Sequence, residues 1–184
     1  MKRFLDGVRT PDAKKFSGGD IKILFLLFSA GLISGAAAKL FDIYTQNLGN
    51  IFSQLSVWIF LGTLISVYSR TAIRAGGNVF SFCCGMMISY YTAVALSDNW
   101  YYFTPHYIIG WSLFTLFCPL LAFLTWYSCG CGWFSKLISA GILICIPLSA
   151  VLFFHCICFS DIVIFILCAL LLYLRHKRLH RTKT

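Results

Sequence analysis

"YIIGWSLFTLFCPLLAFLTWY", residues 107–127, runs for 21 residues without a charged side chain. At 1.5 Å per residue it makes a helix of about 31 Å, the thickness of a bilayer's hydrocarbon core at ~30 Å. A helix on the surface of a soluble domain carries a charged or polar face to meet water. This stretch has no charge to offer, so it reads as a transmembrane helix.

The same criterion, carried outward along the chain, predicts five further spans. They cover 21–40, 52–69, 78–96, 134–154 and 159–174, with the quoted stretch as the fourth of six. The predicted fold class is an all-α membrane protein, a bundle of six transmembrane helices. A basic segment (1–20) precedes the transmembrane domain (21–174), and a basic tail (175–184) follows it. A membrane barrel would show alternating segments of about ten residues instead of long apolar runs.

Composition agrees. Of 184 residues, 59% are hydrophobic and 11% charged, against about 25% charged in a soluble domain. All six acidic residues are Asp, so mechanisms that need a membrane Glu are excluded. The net charge of +9 in so apolar a chain marks a membrane face and not a nucleic-acid surface.

Placing the N-terminus inside puts fourteen of the fifteen Lys and Arg on the cytoplasmic side, with Lys39 alone outside. The positive-inside rule then sets both termini in the cytoplasm. Asp42, Asp98 and Asp161 fall outside. A competing reading of "LFLLFSAGLISGAAAK" (24–39) is a signal peptide cleaved after Ala38, since Ala36 to Ala38 fit a small-x-small site. The long polar region before it, with three Asp, opposes that reading.

The last two spans are cramped. Only thirteen residues separate Asp161 from Arg175, about 20 Å of helix. Either Asp161 lies within the membrane's outer region or Arg175 snorkels toward the inner one. Pro147 is expected to kink the fifth span.

"NWYYFTPHYIIGW" (99–111) is the densest aromatic run. Its two readings are an interfacial belt, where Trp and Tyr rings sit at headgroup depth, and a lid over an outward-facing solute cavity. The candidate ligand contacts are Trp100, Tyr101, Tyr102, His106, Tyr90, Asp98 and Asp161. In the first span, Ala30, Gly31, Ser34, Gly35 and Ala38 form a small-residue ridge, suited to helix packing within the bundle or docking on a partner. Arg70 and Arg74, in the inner loop between the second and third spans, are expected to meet lipid headgroups, with Gly76-Gly77-Asn78 as turn and helix start. "HCIC" offers His155, Cys156 and Cys158 as a weak alternative metal site, with apolar packing of the thiols as the simpler reading. The nine Cys contain no CxxC pair, and no cofactor is expected.

Residues 48–91, through "LGNIFS", "LGTLISVYSR", "NVFSF" and "GMMISYY", with "IGW" and "PLLAFLTWY" further on, resemble small uncharacterised integral membrane proteins of bacteria. That resemblance implies the bacterial cytoplasmic membrane and no particular activity. The six predicted spans and the ridge of Ala30, Ser34 and Ala38 are also similar in architecture to the substrate-binding membrane subunits of energy-coupling-factor transporters. This second likeness implies docking on a coupling subunit.

The functional expectation is a membrane protein that binds or helps translocate a small solute with a partner subunit. Its rivals are an accessory, immunity or assembly protein and, third, a membrane-embedded enzyme. The expected partners are the lipid bilayer and a membrane protein or second copy, with no nucleic acid. The enzyme reading fares worst, because no nucleophile–base pair or acid pair stands at a suitable spacing.

Overall fold

A computed structural model describes residues 8–9, 17–45, 49, 51–52, 54–97, 105–155 and 157–181. Among them the chain is all-helical, with six helices: α1 (Gly18–Tyr44), α2 (Leu55–Tyr68), α3 (Ala72–Leu96), α4 (Pro105–Trp126), α5 (Trp133–Phe154) and α6 (Phe159–Arg181). A short 3-10 turn, Tyr127–Cys129, follows α4. Five of the six, all but α2, are long and apolar enough to cross a membrane. The arrangement is consistent with a multi-pass helical membrane protein.

The second helix departs from expectation. Instead of 52–69 it spans 14 residues, about 21 Å, short of the ~30 Å core. Gln54 and Ser69 are both extended and close it off at either end. Both are held there from other elements: Ser160 Oγ donates to Gln54 Oε1 at 2.8 Å, and Trp126 Nε1 donates to the Ser69 carbonyl at 2.8 Å.

The third helix begins six residues earlier than expected, at Ala72. The Thr71 hydroxyl accepts the Arg74 N–H at 3.2 Å and so caps the start. Gly76, Gly77 and Asn78 therefore lie inside a helix and not in a turn. Arg70 falls in the break and Arg74 in the first turn, so the two do not share one continuous helix. At its other end the chain keeps α6 helical through the basic residues to Arg181, Lys and Arg being good helix formers. Helix α5 runs unbroken through Pro147.

The chain forms two compact units. The first comprises 1–13, 54–75 and 122–184, the second 14–53 and 76–121. In the first unit α2, α5 and α6 pack on one another around Val67, Cys129, Ile146, Ile164, Cys168 and Leu172. A second cluster gathers Val8, Ala72, Ala75, Trp126 and Tyr127.

In the second unit α1 and α3 meet backbone to backbone. A methyl group on Gly31 would run into the Phe82 carbonyl, one on Gly35 into that of Met86, and one on Gly85 into that of Phe28. Such contact lets dispersion act between helices where apolar burial gains nothing over lipid. Ser81 Oγ adds a bond across the seam to the Leu24 carbonyl at 2.9 Å.

Both units are apolar on the outside. Phe25 (70% exposed), Leu26 and Ile33 project outward from α1, as do Leu116 and Phe117 from α4. Buried positions instead hold Ser56, Thr63, Ser66, Lys39 and Asp161. An exposed apolar surface of this extent belongs against lipid.

Two outcomes follow. Gly35→Leu forces the α1–α3 seam apart and costs about 3 kcal/mol or more, read as a lowered thermal midpoint in detergent. His155, at the end of α5, is held at φ 55° with its side chain exposed. His155→Gly removes that left-handed strain and raises the midpoint by the equivalent of about 1 kcal/mol.

Candidate functional site

Polar side chains in an apolar layer must find partners within the chain. Most hydroxyls here turn back on their own helix. Ser34 bonds the Ala30 carbonyl, Ser66 that of Gly62 and Thr92 that of Ile88. The bonds that leave a helix therefore stand out, and apart from Ser81–Leu24 the main ones gather at the two ends of the first unit.

At one end lies Asp161, 2% exposed. One carboxylate oxygen accepts the Ser56 hydroxyl at 2.7 Å, and the other accepts the Cys158 backbone N–H at 3.0 Å. The second bond closes the start of α6, where a carboxylate in the first turn also favours the helix dipole. The neighbouring Ser160–Gln54 bond ties the same two elements again. Gln54, Ser56, Ser160 and Asp161 thus form a polar cluster where α2 and α6 begin side by side.

At the other end the segment around Val8 and Arg9 is seated against the end of α4. The Val8 carbonyl accepts the Cys131 N–H at 2.7 Å. Gly130 leaves room for it, since a Cβ there would overlap the Val8 carbonyl and side chain. Arg9 is 8% exposed and donates to the Trp126 carbonyl at 2.6 Å and the Val67 carbonyl at 3.3 Å. Its guanidinium lies 4.0 Å from the centre of the Trp126 ring. Burial pulls the Arg9 pKa below its ordinary value to about 10, with Cys129 opposing the fall and Arg175 adding to it. Arg9 therefore keeps its charge near neutral pH.

Among its described residues the second unit holds one ion pair, with Lys39 buried and Asp42 half-buried. Lys39, fully buried, lies 2.9 Å from Asp42, and its ammonium is 5.9 Å from the centre of the Tyr90 ring.

Of the candidates from the sequence, Asp161 is buried in the cluster described, and Tyr90 is half-buried beside Lys39 and edge-on to Tyr91. Asp98, Trp100, Tyr101 and Tyr102 lie outside the described residues. His106 lies on the first turn of α4, and nothing of its side chain is described. In the ridge, Gly31, Gly35 and Ala38 are buried while Ala30 and Ser34 are half-buried. Arg70 is exposed and Arg74 half-buried. His155 is exposed, Cys156 lies outside the described residues, and Cys158 is half-buried with its N–H on Asp161. Among the described residues no three His, Cys or acidic side chains are grouped to hold a metal. The described cysteines are free thiols.

The sequence reading missed the Arg9 seat. A basic residue in a polar N-terminal segment carries no mark of a binding place 117 positions away. Gly130, in "CGCGW", was the one available hint.

No family model, curated protein or solved structure matches the chain. The resemblances drawn from the sequence thus gain no support from relatives.

Ser56 and Asp161 are coupled. A double-mutant cycle with Ser56→Ala and Asp161→Asn, followed by unfolding in detergent, gives an interaction of about 1.5–3 kcal/mol, as for a hydrogen bond to a charged group.

Proposed function

We propose that the protein is a six-span protein of the bacterial cytoplasmic membrane, with both termini in the cytoplasm. It binds or helps translocate a small solute, acting with a partner subunit. The observation that carries the reading is Asp161: a carboxylate buried at the head of an apolar helix, hydrogen-bonded to Ser56 and flanked by Gln54 and Ser160. Ionisable groups at membrane depth are costly and mark solute or ion pathways. A carboxylate that already accepts two hydrogen bonds keeps further lone pairs. The solute it suits is a small cation or amine, or a neutral molecule that donates hydrogen bonds.

The short α2 is counted as a crossing because it runs in the same direction as α6. Ser56 near its start meets Asp161, and Tyr68 at its end meets Arg175. Local thinning of the bilayer accommodates its length. By the charge rule the aromatic run 100–107 is assigned to the outer side of the membrane.

Native mass spectrometry of the protein, gently extracted from its host membrane, tests the reading. The expected result is a non-lipid small-molecule adduct present in the wild type and lost in Asp161→Asn, with that variant still monodisperse by size exclusion. A co-purifying membrane protein without any such adduct supports the accessory reading instead.

A further inference from the structure

The last turn of α2 brings two arginines to one place. Arg9 reaches the Val67 carbonyl, and the Arg175 guanidinium lies 4.9 Å from the centre of the ring of the next residue, Tyr68. Arg9 comes from the N-terminal segment and Arg175 from α6, so separate parts of the chain have folded two cations toward one helix end. They are near enough for Arg175 to oppose the charge on Arg9. The only ion pair among the described residues is Lys39–Asp42, so no described carboxylate neutralises either of them.

Their hydrogen bonding is unequal. Arg9 has its two carbonyl partners and the Trp126 ring. The Arg175 Nε is buried and meets no acceptor among the described residues. A buried charged donor without an acceptor is destabilising, and like charges brought together add to that. An anion at this point relieves both. The Tyr68 ring that the Arg175 guanidinium faces is 54% exposed, so the outer edge of this place is open.

We infer that Arg9 and Arg175 form a phosphate-binding site at the C-terminal end of α2. The guanidinium fork matches the oxygens of a phosphate group, and α6 fixes where the Arg175 side chain starts. Arg175 closes the apolar stretch that starts at Asp161, and the basic end of such a stretch lies at headgroup depth. The phosphate comes either from an anionic lipid headgroup or from free phosphate. The site is independent of the Asp161 cluster and of the solute reading.

Thermal unfolding of the full chain in a neutral detergent tests it. The probes are inorganic phosphate and dihexanoyl phosphatidylglycerol, with chloride at matched ionic strength as the control. A saturable rise in midpoint is expected, with the dissociation constant weakened about tenfold in both Arg175→Gln and Arg175→Lys. Arg175→Lys keeps the charge and the apolar stem, so its loss reports the fork rather than the fold. Lys177→Gln, exposed on the same helix, keeps wild-type affinity. A response to both probes assigns free phosphate as sufficient, and a response to the lipid alone assigns the headgroup. A shift equalled by chloride, no shift at all, or one unchanged in both Arg175 variants overturns the site.

Discussion

The structure depends on one constraint: polar atoms surrounded by apolar ones have to be satisfied from within the chain. Backbone groups meet it by forming helices. Serine and threonine meet it by bonding carbonyls three or four residues back, as Ser66, Ser69, Thr92 and Ser149 do. What remains after this local accounting is a short set of bonds between elements. Ser56–Asp161 and Ser160–Gln54 hold one end of the first unit, and Trp126–Ser69 and the Arg9 bonds hold the other. Between them lies apolar packing around Ile146 and Cys168, with little directional content of its own.

The second unit meets the constraint differently. Its α1 and α3 are joined mainly by absence of side chain, with Gly31, Gly35 and Gly85 facing carbonyls and one bond, Ser81 to Leu24, across the seam. Such a seam tolerates almost no added volume, whereas the lipid-facing positions tolerate a great deal. Small residues and hydrogen bonds are thus alternative solutions to one problem, helix association without a hydrophobic drive.

Much of this was legible in the sequence, because membrane thickness turns composition into length. Helices α4 and α5 fall within about two residues of the expected 107–127 and 134–154. The cramped interval from Asp161 to Arg175 was also visible, and in the structure Asp161 is buried. The misses were local and chemical. Apolarity alone cannot show that Gln54 and Ser69 are pinned extended by Ser160 and Trp126, which shortens α2. Nor can a Gly-Gly-Asn string show that it lies within a helix already started by Thr71. The candidate solute site was legible only in part: Asp161 stood out as a candidate contact, but its pairing with Ser56, 105 positions away, did not.

The seat of Arg9 has a consequence for the order in which the protein is made. Arg9 leaves the ribosome early, while Trp126 and Gly130, which hold its segment, are translated more than a hundred residues later. At 5–20 residues per second that interval lasts on the order of ten seconds. Through it Arg9 lacks the Trp126 carbonyl and ring that later hold it, until the end of α4 is made. Docking of the N-terminal segment is thus a late event in biogenesis, after most of the helices have entered the bilayer.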